Sequence, residues 1–358
     1  MKQYRVAFLG FGNVGKALVR LFVLKANELR DHYGIECCMT GIATRSGGWH
    51  ATSNGIPLFA SQVSGSQVSE LGAQASGAIS AGAGSMSRLT GINEWLHAAQ
   101  PDAVFETTPL NHETGQPAID YLTAVLQSGA HAITANKGTV VHGYDELMKL
   151  AKASNRQFFF EATVLDSAPV FSLFRETLPA AKLRGFSGIF NSTSNVVLET
   201  MEAGRSFDEG VKMAQELGIA ETDPTHDVDG WDASMKVCAL ARVLMNVPLK
   251  PNDVRRDGIR TLSTKVLQTA RNEGRPFKLV ARAKLADDGC VVASVKPEQL
   301  AATDPLANVR GTSLAAHFEL DMMPGLTVIS HRPNLQSTAY GMLADFMSAV
   351  GKEKLSRG

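Results

Sequence analysis

The chain has 358 residues, which suits two hydrophobic cores better than one. Its 35 basic and 35 acidic side chains cancel, so the charge balance points away from nucleic acid and from anionic membrane surfaces. No apolar run reaches the roughly 18–20 residues of a membrane span, and the expected partner is a small molecule.

The opening MKQYRVAFLGFGNVG has a basic start and a short apolar run, but glycines and an Asn break it, so it reads as a buried strand entering a loop rather than as a leader. Arg5–Leu9 is that strand. From Lys16 to His32 apolar residues recur at helical spacing, and Glu36–Ala43 is a second strand closed by Thr44-Arg45-Ser46-Gly47-Gly48. Ser61–Gly91 is rich in Ser, Gly and Ala and can bury little apolar area, so a mobile surface segment is expected there. Order resumes with a helix over Ile92–Ala99, a strand over Ala103–Glu106, a helix over Ala118–Ser128 and a strand over His131–Thr134. A helix over Asp145–Ala153 and a strand over Phe158–Glu161 follow. This alternation is that of a doubly wound α/β sheet.

Beyond residue 160 the rhythm changes. Helices are expected over Phe171–Leu178, Val196–Ala203, Phe207–Leu217 and Ala233–Met245. Strands are expected over Leu183–Phe190, Phe277–Leu285, Cys290–Val295, Ala315–Leu320 and Leu326–Ser330. This second region is α+β, with mixed or antiparallel pairing. The expected division is a nucleotide-binding domain over 1–150 and a substrate and dimerisation domain over 151–330, with a last helix, Ser337–Val350, packing back on the first. Cys37, Cys38, Cys238 and Cys290 show no metal-ligand spacing and read as small buried hydrophobes of a reducing, cytoplasmic setting.

The loop Gly10-Phe11-Gly12-Asn13-Val14-Gly15 carries the first chemical signal. Glycine triplets also occur in plain turns, but this one follows a strand and opens a helix. Gly10 permits the tight turn, Gly12 lets the backbone approach a pyrophosphate, and Gly15 lets helix and strand pack closely. The helix start then offers N–H groups and a positive dipole end to the phosphates. A dinucleotide site for NAD has an acidic residue at the end of the second strand. Glu36 has about the right spacing but opens that strand. Its end, Ala43-Thr44-Arg45, has no acid, and Arg45 suits a 2′-phosphate, which favours NADP over NAD.

Lys137, in Thr134-Ala135-Asn136-Lys137-Gly138, lies past the carboxyl end of a strand, where such sheets bind ligands. The segment Gly218–Lys236 carries five carboxylates, Glu221, Asp223, Asp227, Asp229 and Asp232. Asp232 and Lys236 stand four apart on one helix face. Such a pair can be a solvated salt bridge. Here the run Val237–Ala241 buries the helix, where an ionised pair is costly unless paired and used.

Together these stretches resemble the homoserine dehydrogenases, in the short form without a C-terminal regulatory ACT domain. The similarity runs from GFGNVG through TTPLNHETGQPA, ITANKG, EATVLDSAPVF, GIFNSTSNVVLETM and ELGIAETDPTHDVDGWDASMK to TAYGMLADF, nearly the whole chain. It implies a Rossmann domain joined to an α+β catalytic and dimerisation domain. The implied reaction is the NAD(P)-linked, reversible oxidation of L-homoserine to L-aspartate 4-semialdehyde, a step toward threonine, methionine and isoleucine. By the same resemblance Lys236 is the proton donor and acceptor, and Lys137 joins it near the reacting oxygen and the nicotinamide. An ammonium beside a second cation gives up its proton more readily, which suits acid–base work. Glu221, Asp227 and Asp232 match substrate-binding acids, Ser192 and Thr193 line the pocket, and Thr107 and Thr108 meet the cofactor beside the nicotinamide ribose. Glu161, Val164, Asp166 and Ala168 match a loop that holds sodium largely through main-chain oxygens, with a purely structural loop as the other reading. The resemblance also implies a homodimer or homotetramer formed through the second domain's sheet.

Three stretches depart from the family pattern: Arg332-Pro333-Asn334 replaces a glycine-rich turn, Leu314-Ala315 replaces Asn-Ala, and Ser192-Thr193 replaces Gly-Thr. Two other readings stay open on residues alone, a dehydrogenase of another small hydroxy acid or amino acid and a non-catalytic NAD(P)-sensing protein.

Overall fold

Short, nearly all-apolar strands alternating with amphipathic helices force a sheet covered on both faces. In the computed structural model, which describes residues 1–58 and 87–356, the chain divides into two units, Met1–Ser167 with Asn334–Gly358, and Ala168–Pro333. The first unit begins with β1 (Lys2–Leu9), α1 (Asn13–Tyr33) and β2 (Ile35–Thr44). It continues with β3 (Gly48–Pro57), β4 (Ser87–Leu89), α2 (Ile92–Ala99), β5 (Ala103–Glu106), α3 (Ala118–Gln127), β6 (His131–Thr134), α4 (Lys137–Ala153) and β7 (Phe158–Phe159). The strand order is β4-β3-β2-β1-β5-β6-β7, with β2, β1, β5, β6 and β7 parallel and β3 and β4 antiparallel at one side.

From β1 the chain winds one way to β2 and later returns on the other flank as β5, which makes a switch point between β1 and β5. Register puts Ala43, Leu9, Glu106 and Thr134 in one row across β2, β1, β5 and β6. The residues just beyond that row, Thr44, Gly10, Thr107 and Ala135, therefore rim the crevice at the carboxyl ends.

Several expectations change here. Residues 61–86 of the expected mobile segment lie outside the described residues, while its end, Ser87–Leu89, is a strand paired to β3. The β3 strand went unread because Gly48–Pro57 mixes Gly, Ser, Thr and Asn with few apolar residues. The α4 helix starts at Lys137 rather than Asp145, because Asn136 caps it by accepting from the Gly138 N–H at 3.0 Å. The strand expected over Phe158–Glu161 keeps two residues before a 3-10 turn over Glu161–Thr163.

The second unit is built on β8 (Leu183–Ile189), α5 (Ser192–Glu202), α6 (Phe207–Glu216), α7 (Trp231–Leu244), β9 (Arg255–Arg256), α8 (Thr264–Asn272) and β10 to β13 (Phe277–Leu285, Val291–Gln299, Leu314–Leu320, Leu326–Ser330). The sheet order is β13-β12-β8-β10-β11-β9, with only β9 and β11 parallel among the pairs. The α8 helix went unread because its seam is only Leu267 and Ala270. The expected helix over Phe171–Leu178 is a single turn, Val170–Ser172, running into a π turn. Cys37, Cys38 and Cys238 are buried, but Cys290 is exposed, since it leaves the β10–β11 hairpin turn through Asp287, Asp288 and Gly289.

The last helix, α9 (Leu335–Ser356), belongs to the first unit and supplies Ala339, Met342, Leu343 and Phe346 to its core. Phe346 is fully buried, with ring centroids 5.6–6.0 Å from Phe22, Tyr4 and Phe105. No helix among the described residues is long and apolar enough to cross a membrane. Truncating Phe346→Ala leaves a cavity among those three rings and is expected to cost about 3–5 kcal/mol. A urea or thermal melt checks it; a change within error would mean that α9 is not integral to that core.

Candidate active site

The glycine loop opens the crevice at the switch point. Gly10 has φ +82°, and a Cβ there would lie 2.6 Å from the Thr107 carbonyl oxygen, so only glycine fits. That approach is tied by the Thr107 N–H donating to the Leu9 oxygen at 2.7 Å and the Thr107 hydroxyl donating to the Gly10 oxygen at 3.0 Å. A Cβ on Gly12 would meet nothing within 4 Å, so this face of the loop is bare main chain at the start of α1. Phe11 turns its ring into the core, 5.5 Å from Phe8, and leaves its backbone to the cleft.

The cleft has a volume of about 780 Å³, ordinary for a cofactor site. Arg45 and Ser46 form part of its wall, and among the described residues no carboxylate lines it. Trp49 and Tyr121 meet edge to face at 5.5 Å on the same wall. Both were missed in the sequence; Trp49 sits on the unread β3. A bare glycine main chain at a helix start, a cation at the end of β2 and an aromatic pair on the wall together fit a dinucleotide.

Beneath the rim lies Glu106, fully buried. One carboxylate oxygen accepts from the Thr108 N–H at 2.7 Å and from the Thr108 hydroxyl, and the other accepts from the Thr134 hydroxyl. Burial pushes its pKa up, opposed by these hydrogen bonds. Thr134 in turn accepts from the Asn136 N–H at 2.8 Å. One side chain thus fixes both strand ends that present Thr107, Thr108 and Lys137.

In the second unit, β8 delivers Phe190 and Asn191 to the start of α5. Asn191 caps that helix, its side-chain oxygen accepting from the Ser194 N–H at 2.8 Å. Its amide nitrogen donates to Asp227 at 2.6 Å and to Asp232 at 3.0 Å. Lys236 pairs with Asp232 at 3.0 Å and donates to the Phe190 carbonyl at 2.6 Å, both side chains being about six-sevenths buried. The pair is held there because α7 buries Val237, Cys238, Ala239, Leu240 and Ala241 completely. Thr193 donates to the Ile219 oxygen at 3.0 Å, and Ser192 donates to the Thr312 oxygen at 2.8 Å. Asn191 is the central residue of this cluster and the sequence reading passed over it; the signal was an Asn opening the Ser-Thr-Ser-Asn turn of a helix.

Glu221 lies exposed in the loop that follows Ile219, outside the hydrogen-bonded cluster. Lys137 belongs to the first unit, as the first residue of α4. Glu161, Val164 and Asp166 are at the end of the first unit's core segment, and Ala168 opens the second unit. Glu161 donates its N–H to Asp345 at 2.8 Å, and Asp166, at φ +57°, accepts from the Thr338 hydroxyl at 2.9 Å. Among the described residues no group of three or more His, Cys, Asp or Glu could hold a metal ion.

Burial, with the neighbouring Asp232 carboxylate, holds the Asp227 pKa above its ordinary value of 3.8. An acid raised on folding makes folding less favourable as pH climbs from the unfolded value through the folded one, and the whole penalty applies above that window. Asp227→Asn removes the penalty while its side-chain oxygen still accepts from Asn191. The variant is expected to melt higher than the parent at neutral pH and to converge with it below the unfolded pKa. Equal melting points across that range would refute the account.

A family model described as homoserine dehydrogenase matches residues 169–347. The NAD(+)-dependent homoserine dehydrogenase of Pseudomonas canavaninivorans is 33% identical over 353 residues, 97% of this chain and 96% of that protein. The homoserine dehydrogenase of Methanocaldococcus jannaschii is 32% identical over 350 residues, 98% of this chain and 99% of that one. A hyperthermophilic archaeal homoserine dehydrogenase solved in complex with NADPH superposes with a TM-score of 0.79 at 26% identity, covering 98% of each chain. With full-length similarity of this kind and a matching model over residues 169–347, the chain belongs to the homoserine dehydrogenase family.

Proposed function

We propose that this protein catalyses the reversible oxidation of L-homoserine to L-aspartate 4-semialdehyde with a nicotinamide dinucleotide. Family membership supports the reaction, and the observation that carries it is the Asn191–Asp227–Asp232–Lys236 cluster. A bound nicotinamide ring supplies the hydride acceptor. The protein must then take the alcohol proton, hold the substrate ammonium and orient its carboxylate. Lys236 Nζ is the group assigned to the proton, fixed by Asp232 and the Phe190 oxygen. Asp227, Asp232 and the exposed Glu221 offer negative charge to an ammonium, and the first turn of α5, at Ser192 and Thr193, faces the carboxylate with main-chain N–H groups. Lys137, the first residue of α4 beyond the carboxyl end of β6, is assigned to the cofactor side.

For the cofactor, the proposed preference is NADP. Its support is Arg45 on a cleft wall with no carboxylate among the described residues, and a related enzyme was solved with NADPH. The relative named NAD(+)-dependent is why the preference needs its own measurement. The resemblance alone carries two further proposals. One is sodium held by main-chain oxygens near Glu161, Val164, Asp166 and Ala168, which replacement of sodium salts would test. The other is a homodimer or homotetramer, which sedimentation would test.

The deciding assay follows absorbance of the reduced cofactor with L-homoserine and with each nicotinamide dinucleotide. No turnover from folded protein with either would sink the proposed reaction. Lys236→Ala is expected to lower turnover by about 10²–10⁴-fold while cofactor titrations stay unchanged; parent-like turnover would remove its assigned role. Arg45→Ala is expected to raise the KM for NADP by about 10–100-fold and to leave that for NAD alone. Equal effects on both would show that Arg45 does not read the 2′-phosphate.

A further inference from the structure

Lys278 is completely buried on β10, in the second unit and outside the cluster assigned to chemistry. Its ammonium donates to the Val309 carbonyl at 2.6 Å, to the Asn195 side-chain oxygen at 2.8 Å and to Glu199 at 3.4 Å. An ammonium has three N–H donors, and here three acceptors surround it, one of them a carboxylate. Burial draws its pKa down, and Glu199 and Glu202 oppose that. A charge taken this far out of water is expensive unless it is paired and hydrogen-bonded, as it is here.

What it joins to α5 is one short segment. Asn195 donates to the Val309 and Gly311 oxygens at 3.3 and 2.8 Å, and Glu199 accepts from the Gly311 N–H at 2.9 Å. Arg310 lies 3.8 Å from both Glu199 and Glu202, and Ser192 donates to the Thr312 oxygen at 2.8 Å. Residues 192, 195, 199 and 202 are spaced 3, 4 and 3 apart, a single stripe along α5. The segment Val309–Thr312 is therefore laid along that stripe, and its far end reaches the same first turn of α5 in which Asn191 holds Asp227 and Asp232.

We propose that Lys278 is a positioning residue for substrate binding: it clamps Val309–Thr312 onto α5 and so fixes the helix start that presents Asn191, Ser192 and Thr193. This rests on the proposed reaction. Ser192 is part of the same clamp, because a glycine there, as in the family pattern, has no hydroxyl to hold Thr312.

The test uses the full-length chain and two variants. In Lys278→Met, which keeps the stem and removes the charge, the KM for L-homoserine is expected to rise about tenfold. The KM for the cofactor should stay within about twofold, with kcat falling less than KM rises. Ser192→Gly should move the same KM in the same direction by a smaller factor. Hydrogen exchange at the Gly311 amide, which needs no turnover, should quicken by about tenfold or more in Lys278→Met. A lowered melting point with homoserine KM and Gly311 exchange both unchanged would overturn the proposal. If Lys278→Met does not fold, Ser192→Gly decides, and an unchanged KM there overturns it too. Absence of homoserine turnover in the parent protein would instead count against the reaction, leaving the exchange measurement to judge the clamp.

Discussion

The second unit is organised around one amide. Asp227 and Asp232 would repel across the start of α5, and the two N–H groups of the Asn191 side chain stand between them. Lys236 closes the ring from the other side, since it pairs with Asp232 and donates to the oxygen of Phe190, the residue before Asn191. The arrangement needs β8 to end where it does, α7 to be buried along its length, and the Thr225–Val228 turn to bring Asp227 inward. Shift any of these and a half-buried carboxylate loses its partner, which costs more than the bond itself contributes.

The first unit uses the same device at the end of β6. Asn136 and Asn191 are both helix N-caps, and in each the side-chain oxygen satisfies the helix while the nitrogen reaches outward. Asn136 extends its nitrogen to the Thr108 oxygen at 3.4 Å, and Asn191 extends its own to two carboxylates. Serine or aspartate would cap these helices about as well. Neither carries a pair of N–H donors beside its acceptor, so the choice of asparagine follows from the site and not from the helix. Glu106 completes the first case by holding Thr108 and Thr134 from below.

Much of this was legible in the sequence where a residue's neighbours lie close along the chain. The glycine loop, the strands Ala103–Glu106, His131–Thr134 and Phe277–Leu285, and the Asp232–Lys236 pair all rest on local spacing, and the structure has them at those positions. The β3 strand failed because its pairing with β2 is set by neighbours and not by its own mixed composition. The start of α4 failed because the cap residue, Asn136, was grouped with Lys137 as chemistry. Glu106 and Lys278 failed for a different reason. An acid at a strand end and a lysine inside a strand look like solvated charges, and only partners 28 and 83 residues away make them buried ones.

That distance in sequence also explains why Ser192 read as a mere departure from the family pattern. Taken alone, glycine to serine at a helix start is mild: serine is well tolerated near N-caps. Its meaning depends on Thr312, 120 residues on, whose carbonyl takes the hydroxyl. Once the 192–195–199–202 stripe is seen as one surface, the serine extends a seam that Asn195, Glu199 and Lys278 already hold. A segment tied along its length by side chains of both charges and by neutral donors has little freedom left to lose when a ligand arrives. Under the proposed reaction, a segment ordered beforehand spends less binding energy on ordering, and that energy is then available to the difference between alcohol and carbonyl on which the chemistry turns.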